Sequence, residues 1–136
     1  MSNSAGIYNF TIEQGTTVRF ELEYLDSEEV PVNLSGSHAR MQIRPDYADF
    51  AEDELFVDIS SSVDTEDGTG IYYGGLDESL PPESGTLGIF IAPSRTETFN
   101  FDEGLYDLEI YRTGPIGKSI TRLLQGRVRI SREVTR

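Results

Sequence analysis

Tyr106, Leu108 and Ile110 are apolar at every second position, and Leu124, Val128 and Ile130 fall on alternate positions further on. A side-chain period of two belongs to strands, so each run offers one half-buried face. Between the runs Gly114, Pro115 and Gly117 supply turn chemistry, and the pair is expected to form a β-hairpin closed by a loop over Thr113–Ser119, longer than a two-residue turn. The same stretch carries an unusual charge. Seven bases (Arg112, Lys118, Arg122, Arg127, Arg129, Arg132 and Arg136) stand against one acid, Glu133, a net +6. The whole chain is at −13, which leaves residues 1–111 at −19. An acidic body with a basic terminal hairpin is the main physical clue to function.

The remaining sequence repeats the strand signal in short pieces. Tyr8, Phe10 and Ile12 alternate with polar residues, Gln14-Gly15 breaks the run, and Val18, Phe20, Leu22 and Tyr24 then give the clearest strand of the chain. Val30–Leu34 reads as a short strand that Pro31 confines to an edge or a strand start. Further strands are expected at Ala39–Ile43, Leu55–Ile59, Gly70–Tyr73 and Leu87–Ile91. Ser94 and Glu97 have the spacing of a capping box for a single helical turn, and Tyr47–Ala51 reads as a loop. Short strands punctuated by Gly, Pro and Asp, with no long amphipathic helix, imply an all-β fold: an immunoglobulin-like antiparallel β-sandwich of about eight short strands. The Cys pair and Trp of antibody domains are absent. Residues 1–6 are expected to form a flexible N-terminal arm and residues 7–136 a single β-sandwich domain.

Composition removes several function classes. Without cysteine there are no disulfides, thiolate metal sites or cysteine nucleophiles. No apolar run reaches the roughly 20 residues of a membrane span, and Met1–Gly15 lacks the pattern of a signal peptide, so a soluble, non-membrane protein is expected. The net negative charge opposes nucleic-acid binding by the body of the protein. His38, the only histidine, lies at a strand entrance with no Gly-x-Ser-x-Gly around any serine, and is read as a surface loop residue. The stretch from Pro45 to Glu83 holds twelve acids and no Lys or Arg. Within it Asp64, Glu66 and Asp67 before Gly68 loosely suggest a calcium loop, but the twelfth position falls on Gly75 instead of Glu, so a hydrated acidic face is favoured. No catalytic, cofactor-binding or metal-binding residues are expected.

The hairpin is where a partner is expected. Arg127 and Arg129 share a strand face, and a cross-strand pairing with Asp107 or Glu109 accounts for part of the charge. Seven bases exceed what one local acid neutralises, so the excess is expected to meet the acidic body, a neighbouring copy or another protein. The candidate partner-binding residues are Arg122, Leu123, Arg127, Arg129, Arg132 and Val134, with Leu123 and Val134 as the apolar part of the contact.

Tyr8–Thr17 (YNFTIEQGTT), Val32–Gly36 (VNLSG), Ala39–Arg44 (ARMQIR), Gly104–Ile110 (GLYDLEI), Thr121–Gly126 (TRLLQG) and Val134–Arg136 together resemble small tailed-bacteriophage virion structural proteins, over nearly the whole chain. The group is similar to the N-terminal domain of phage baseplate upper proteins. The resemblance implies a non-enzymatic β-sandwich that binds other virion proteins and copies of itself, acts in the tail or baseplate, and is assembled in the bacterial host cytoplasm. A capsid decoration (cement) protein, a neck protein or a carbohydrate-active tail-spike module are the alternative readings. The acidic segment Pro45–Glu83 departs from the group's pattern and inherits no function from it.

Overall fold

Why the alternating runs lie where they do is seen in a computed structural model, which describes residues 6–45, 55–77 and 80–132. Its described strands are β1 (Gly6–Ile7), β2 (Phe10–Glu13), β3 (Val18–Glu23), β4 (His38–Arg44), β5 (Val57–Ser60), β6 (Gly70–Tyr73), β7 (Thr86–Ile91), β8 (Glu103–Gly114) and β9 (Gly117–Ser131). The larger sheet has the order β1-β9-β8-β4-β5, with β2 also on β9; the smaller has the order β3-β7-β6. In chain order this is the immunoglobulin-type division: one sheet of the C, C′, F and G strands, another of the B, D and E strands, and a first strand laid on G. The pairings of β1 and β2 with β9 are parallel; all other ladders are antiparallel.

The period-two pattern places the core. On β8 Tyr106, Leu108 and Ile110 turn inward, joined by Ala39, Met41 and Ile43 from β4 and Val128 and Ile130 from β9. Leu87, Ile89 and Ile91 of β7 and Ile71 of β6 face them from the smaller sheet. Burying each such side chain contributes about 1.5–3 kcal/mol. Where antibody domains carry a cysteine two residues after the strand-F tyrosine, this chain has Leu108, fully buried. The tyrosine itself, Tyr106, is present, and its hydroxyl donates to the carbonyl of Tyr8 at 2.6 Å, tying β8 to the segment between β1 and β2. Burial, with Tyr8 beside it, raises the Tyr106 pKa.

Several local expectations are corrected. The hairpin does not need a loop over Thr113–Ser119: the ladder runs out to Gly114 opposite Gly117, leaving Pro115 and Ile116 as a two-residue turn. Gly117 adopts φ 115°, open to glycine, and this lets the strands close over a Pro-Ile turn. Val30–Leu34 is not a strand beyond an isolated bridge between Leu25 and Pro31. Its amides go to separate partners instead: Val30 donates to the Asp26 carboxylate, Val32 to the Tyr24 carbonyl and Leu34 to the Pro82 carbonyl. Ser94 does not cap. Helix α1 (Pro93–Thr96) starts at Pro93, which has no amide proton to satisfy, with Ala92 as N-cap. Gly6, expected in the arm, pairs with Leu124 in β1. Residues 1–5 and Tyr47–Ala51 lie outside the described residues.

The two faces of β8 give a direct check. Replacing buried Leu108 with Ala is expected to lower unfolding free energy by about 2–5 kcal/mol. Leu105→Ala, on the outer face and 37% exposed, is expected to cost less than about 1 kcal/mol. Equal losses in urea titrations of the two variants count against this orientation of the strand.

Candidate interaction surface

The basic residues of the hairpin find their first partners inside the chain. Arg127 and Arg129 both reach Glu103, at 3.1 and 3.5 Å. Arg132 pairs with Asp102 at 2.8 Å. Arg122 lies between Glu109 at 3.3 Å and Asp107 at 3.7 Å. Arg112 donates to the backbone carbonyls of Ser35 at 2.9 Å and Asn33, bracing the base of the hairpin against the loop before β4. Four of the seven bases therefore meet acids of their own chain. The acceptors of Arg127 and Arg129 differ from the expected Asp107 and Glu109 because of register.

That register is set by a bulge. Leu108 faces Leu124 while Glu109 faces Arg122, so Leu123 is an extra residue on β9. Its side chain does not stand on the face opposite Leu124; both leucines are partly buried against the core. Beyond the bulge every β9 residue is displaced by one, and Arg129 comes to lie opposite Glu103. Sequence reasoning missed Asp102 and Glu103 as partners, although counting back from a two-residue turn and allowing one bulge would have found them. Val134, Arg136 and Glu133 lie outside the described residues.

On the outer face of the larger sheet, two carboxylates are held among guanidinium groups. Glu109 accepts from Arg40 at 3.1 Å, and Asp107 lies 3.9 Å from Arg44. Burial pushes the Asp107 pKa up, Glu109 adds to the shift, and Arg44, Arg122 and Arg40 oppose it. Asp107, Arg44 and Arg122 line a shallow groove of about 480 Å³ together with Leu105, Gln125 and the exposed Ile7. These carboxylates are committed to ion pairs that knit β4, β8 and β9 together.

Above this network the hairpin leaves the sheet. β4 reaches β8 only as far as His38 opposite Tyr111, and residues 113–120 are all exposed. Tyr111 anchors the departure: His38 stacks on it at 5.4 Å, and Arg40 and Lys118 approach its ring at 5.5 and 5.0 Å. Ile116 at the tip is fully exposed, and Ile120, opposite Tyr111, is half exposed. His38 is thus an aromatic neighbour of Tyr111. Ile116 and Ile120 were not singled out by sequence, because their exposure depends on where β4 stops.

The acidic loop before β6 already has its counter-charge. Arg95 from α1 reaches Asp64 and Asp67, the latter at 2.9 Å. The same carboxylates accept from the amides of Glu66 at 2.8 Å and Thr69 at 2.9 Å. A guanidinium thus supplies the counter-charge of both carboxylates, and the bond from the Thr69 amide is the main cause of a lowered Asp67 pKa.

Comparison with known proteins adds no function. No family model matches the chain, and no curated protein does. Among solved structures it is similar to a chicken TCR, with 10% identity, a TM-score of 0.47, and coverage of 93% of this chain and 54% of that one. The chain thus spans about half the length of that structure.

The raised Asp107 pKa has a sign that can be measured. Between the unfolded value near ~3.9 and the higher folded one, the folded chain keeps a proton the unfolded chain has lost, so this contribution is full at low pH and disappears as pH rises. Compared with Asp107→Asn, the wild type is expected to gain relative stability as pH falls through that window. A relative loss in paired denaturant titrations at several pH values contradicts the assignment.

Proposed function

We propose that this chain is a non-enzymatic structural protein of a tailed-phage virion, a β-sandwich of the tail or baseplate that binds neighbouring virion proteins. The observation that carries the reading is the braced hairpin: a two-stranded ribbon leaves the sheet and presents Ile116, fully exposed, at its tip. Held out on a ribbon that Arg112 braces, and joined on it by half-exposed Ile120, this residue offers an apolar contact to a partner. The sequence resemblance supplies the virion context. Ion pairs at exposed positions contribute only about 0–1 kcal/mol each, so the apolar tip, not the arginines at Glu103, is the main source of binding energy in this reading.

Labelling the protein in intact particles tests the proposal. The expected result is signal at the tail or baseplate, and loss of incorporation for Ile116→Asp with the isolated domain still folded. Signal on the head replaces the tail assignment with a decoration role. Absence from particles, or turnover of host-surface polysaccharide by the purified protein, overturns the structural reading.

A further inference from the structure

The larger sheet has two open edges of opposite character. On one side, β1 and β2 cover β9 only from Leu124 onward, so among the described residues no strand pairs with the outer edge of Gly117–Leu123. On the other side β5 pairs, among the described residues, only with β4.

The ladders fix which residues present their backbone groups to these edges. Gly114 and Gly117 close a two-residue turn as a hydrogen-bonded pair, and antiparallel pairs alternate from there. Lys118, Ile120 and Arg122 are then the residues whose amides and carbonyls point away from β8. At the other edge the amide of Ser61 donates to the Ala39 carbonyl at 2.9 Å, so Ser60 and Asp58 point away from β4; the Ser60 carbonyl lies against Gly70 of β6, which leaves Asp58 as the residue facing outward at this edge. All five side chains stand on the outer face of the sheet, Asp58 exposed and Lys118 exposed.

We propose that these edges pair between copies: the Lys118–Arg122 edge of β9 takes β5 of a second copy of this chain, extending one antiparallel sheet from molecule to molecule. This deepens the assembly reading above and rests on it. Strand order makes the pairing antiparallel without any inversion, because β9, β8, β4 and β5 alternate in direction. Placing Asp58 opposite Ile120 sets its carboxylate diagonally between Lys118 and Arg122, within the roughly 7–8 Å at which such pairs interact. Charge also disfavours the symmetric alternatives. Two β9 edges would oppose Lys118 and Arg122 to their own kind, and two β5 edges would oppose Asp58 to Asp58. Charged residues on an open edge normally discourage pairing; here they discourage every pairing except that of one edge with the other. The contact is head-to-tail, the kind that generates rings or filaments.

Sedimentation velocity of the purified chain at physiological ionic strength, over a wide concentration range, tests this. Wild type is expected to associate reversibly, with mass rising with concentration. Ile120→Pro removes an amide that points away from β8 and is expected to weaken association at least tenfold while leaving the circular dichroism of the fold intact. A charge exchange provides a second test that does not alter the backbone. Lys118→Glu and Asp58→Lys should each weaken association, and the double variant should restore it. A wild type that stays monomeric throughout, an Ile120→Pro variant that is folded and associates as strongly as wild type, or a double variant no better than the singles overturns the proposal. A monomeric protein that is nevertheless found in particles overturns only this inference and leaves the structural role standing.

Discussion

All 12 residues of β8 are paired with β9, from Glu103 opposite Arg129 to Gly114 opposite Gly117. The ladder is the spine of the molecule, because everything in the larger sheet is attached to one of its two sides. β4 lies along the free side of β8 and brings β5 with it; β1 and β2 lie along the lower part of β9. The inward side chains of the same two strands, Tyr106, Leu108, Ile110, Val128 and Ile130, form part of the core against which the smaller sheet packs. Closing this ladder early in folding would supply a template for both neighbours, since the turn between its strands is only two residues long.

The hydrophobic centre shows how the sandwich holds together without the cross-sheet disulfide of antibody domains. Leu108, Met41 and Ile89 are fully buried at its middle, where aliphatic packing replaces a covalent link. The periphery is held by polar ties of long sequence separation. Thr96, buried on α1, donates to the carbonyl of Thr16 at 2.7 Å and accepts from the amide of Gly15 at 3.1 Å, fixing the turn between β2 and β3. Gln14 donates to the Phe99 carbonyl at 2.9 Å at the same end. No buried side-chain polar atom among the described residues lacks a hydrogen-bond partner.

The charge division has a structural use before any partner is considered. Arg40, Arg44 and Arg122 surround two carboxylates on the outer face, and Glu103 bridges to Arg127 and Arg129 across the ladder. These pairs fix register more than they add stability, since exposed pairs are weak while a one-residue slip would carry each partner to the opposite face of the sheet. What is left for recognition lies higher on the ribbon, where Ile116, Lys118 and Ile120 stand clear of β4.

The sequence by itself determined that the chain is all-β, where most strands lie, and which residues of β3, β4, β7 and β8 face inward, because a period of two is a local property of the backbone. It also determined that the last two strands form a hairpin and that the charge is divided. Only the tertiary structure decided the register. A single extra residue at Leu123 shifts every later β9 position, and no local pattern announces a bulge. From that shift follow the partners of Arg127 and Arg129 and the packing of Leu123 on the core. Likewise Asp64 and Asp67 read as a hydrated acidic face, and only the fold shows that α1, roughly thirty residues on in sequence, brings Arg95 between them. Contacts between distant segments depend on how sheets stack and where strands stop, and a pattern of alternating residues does not encode either.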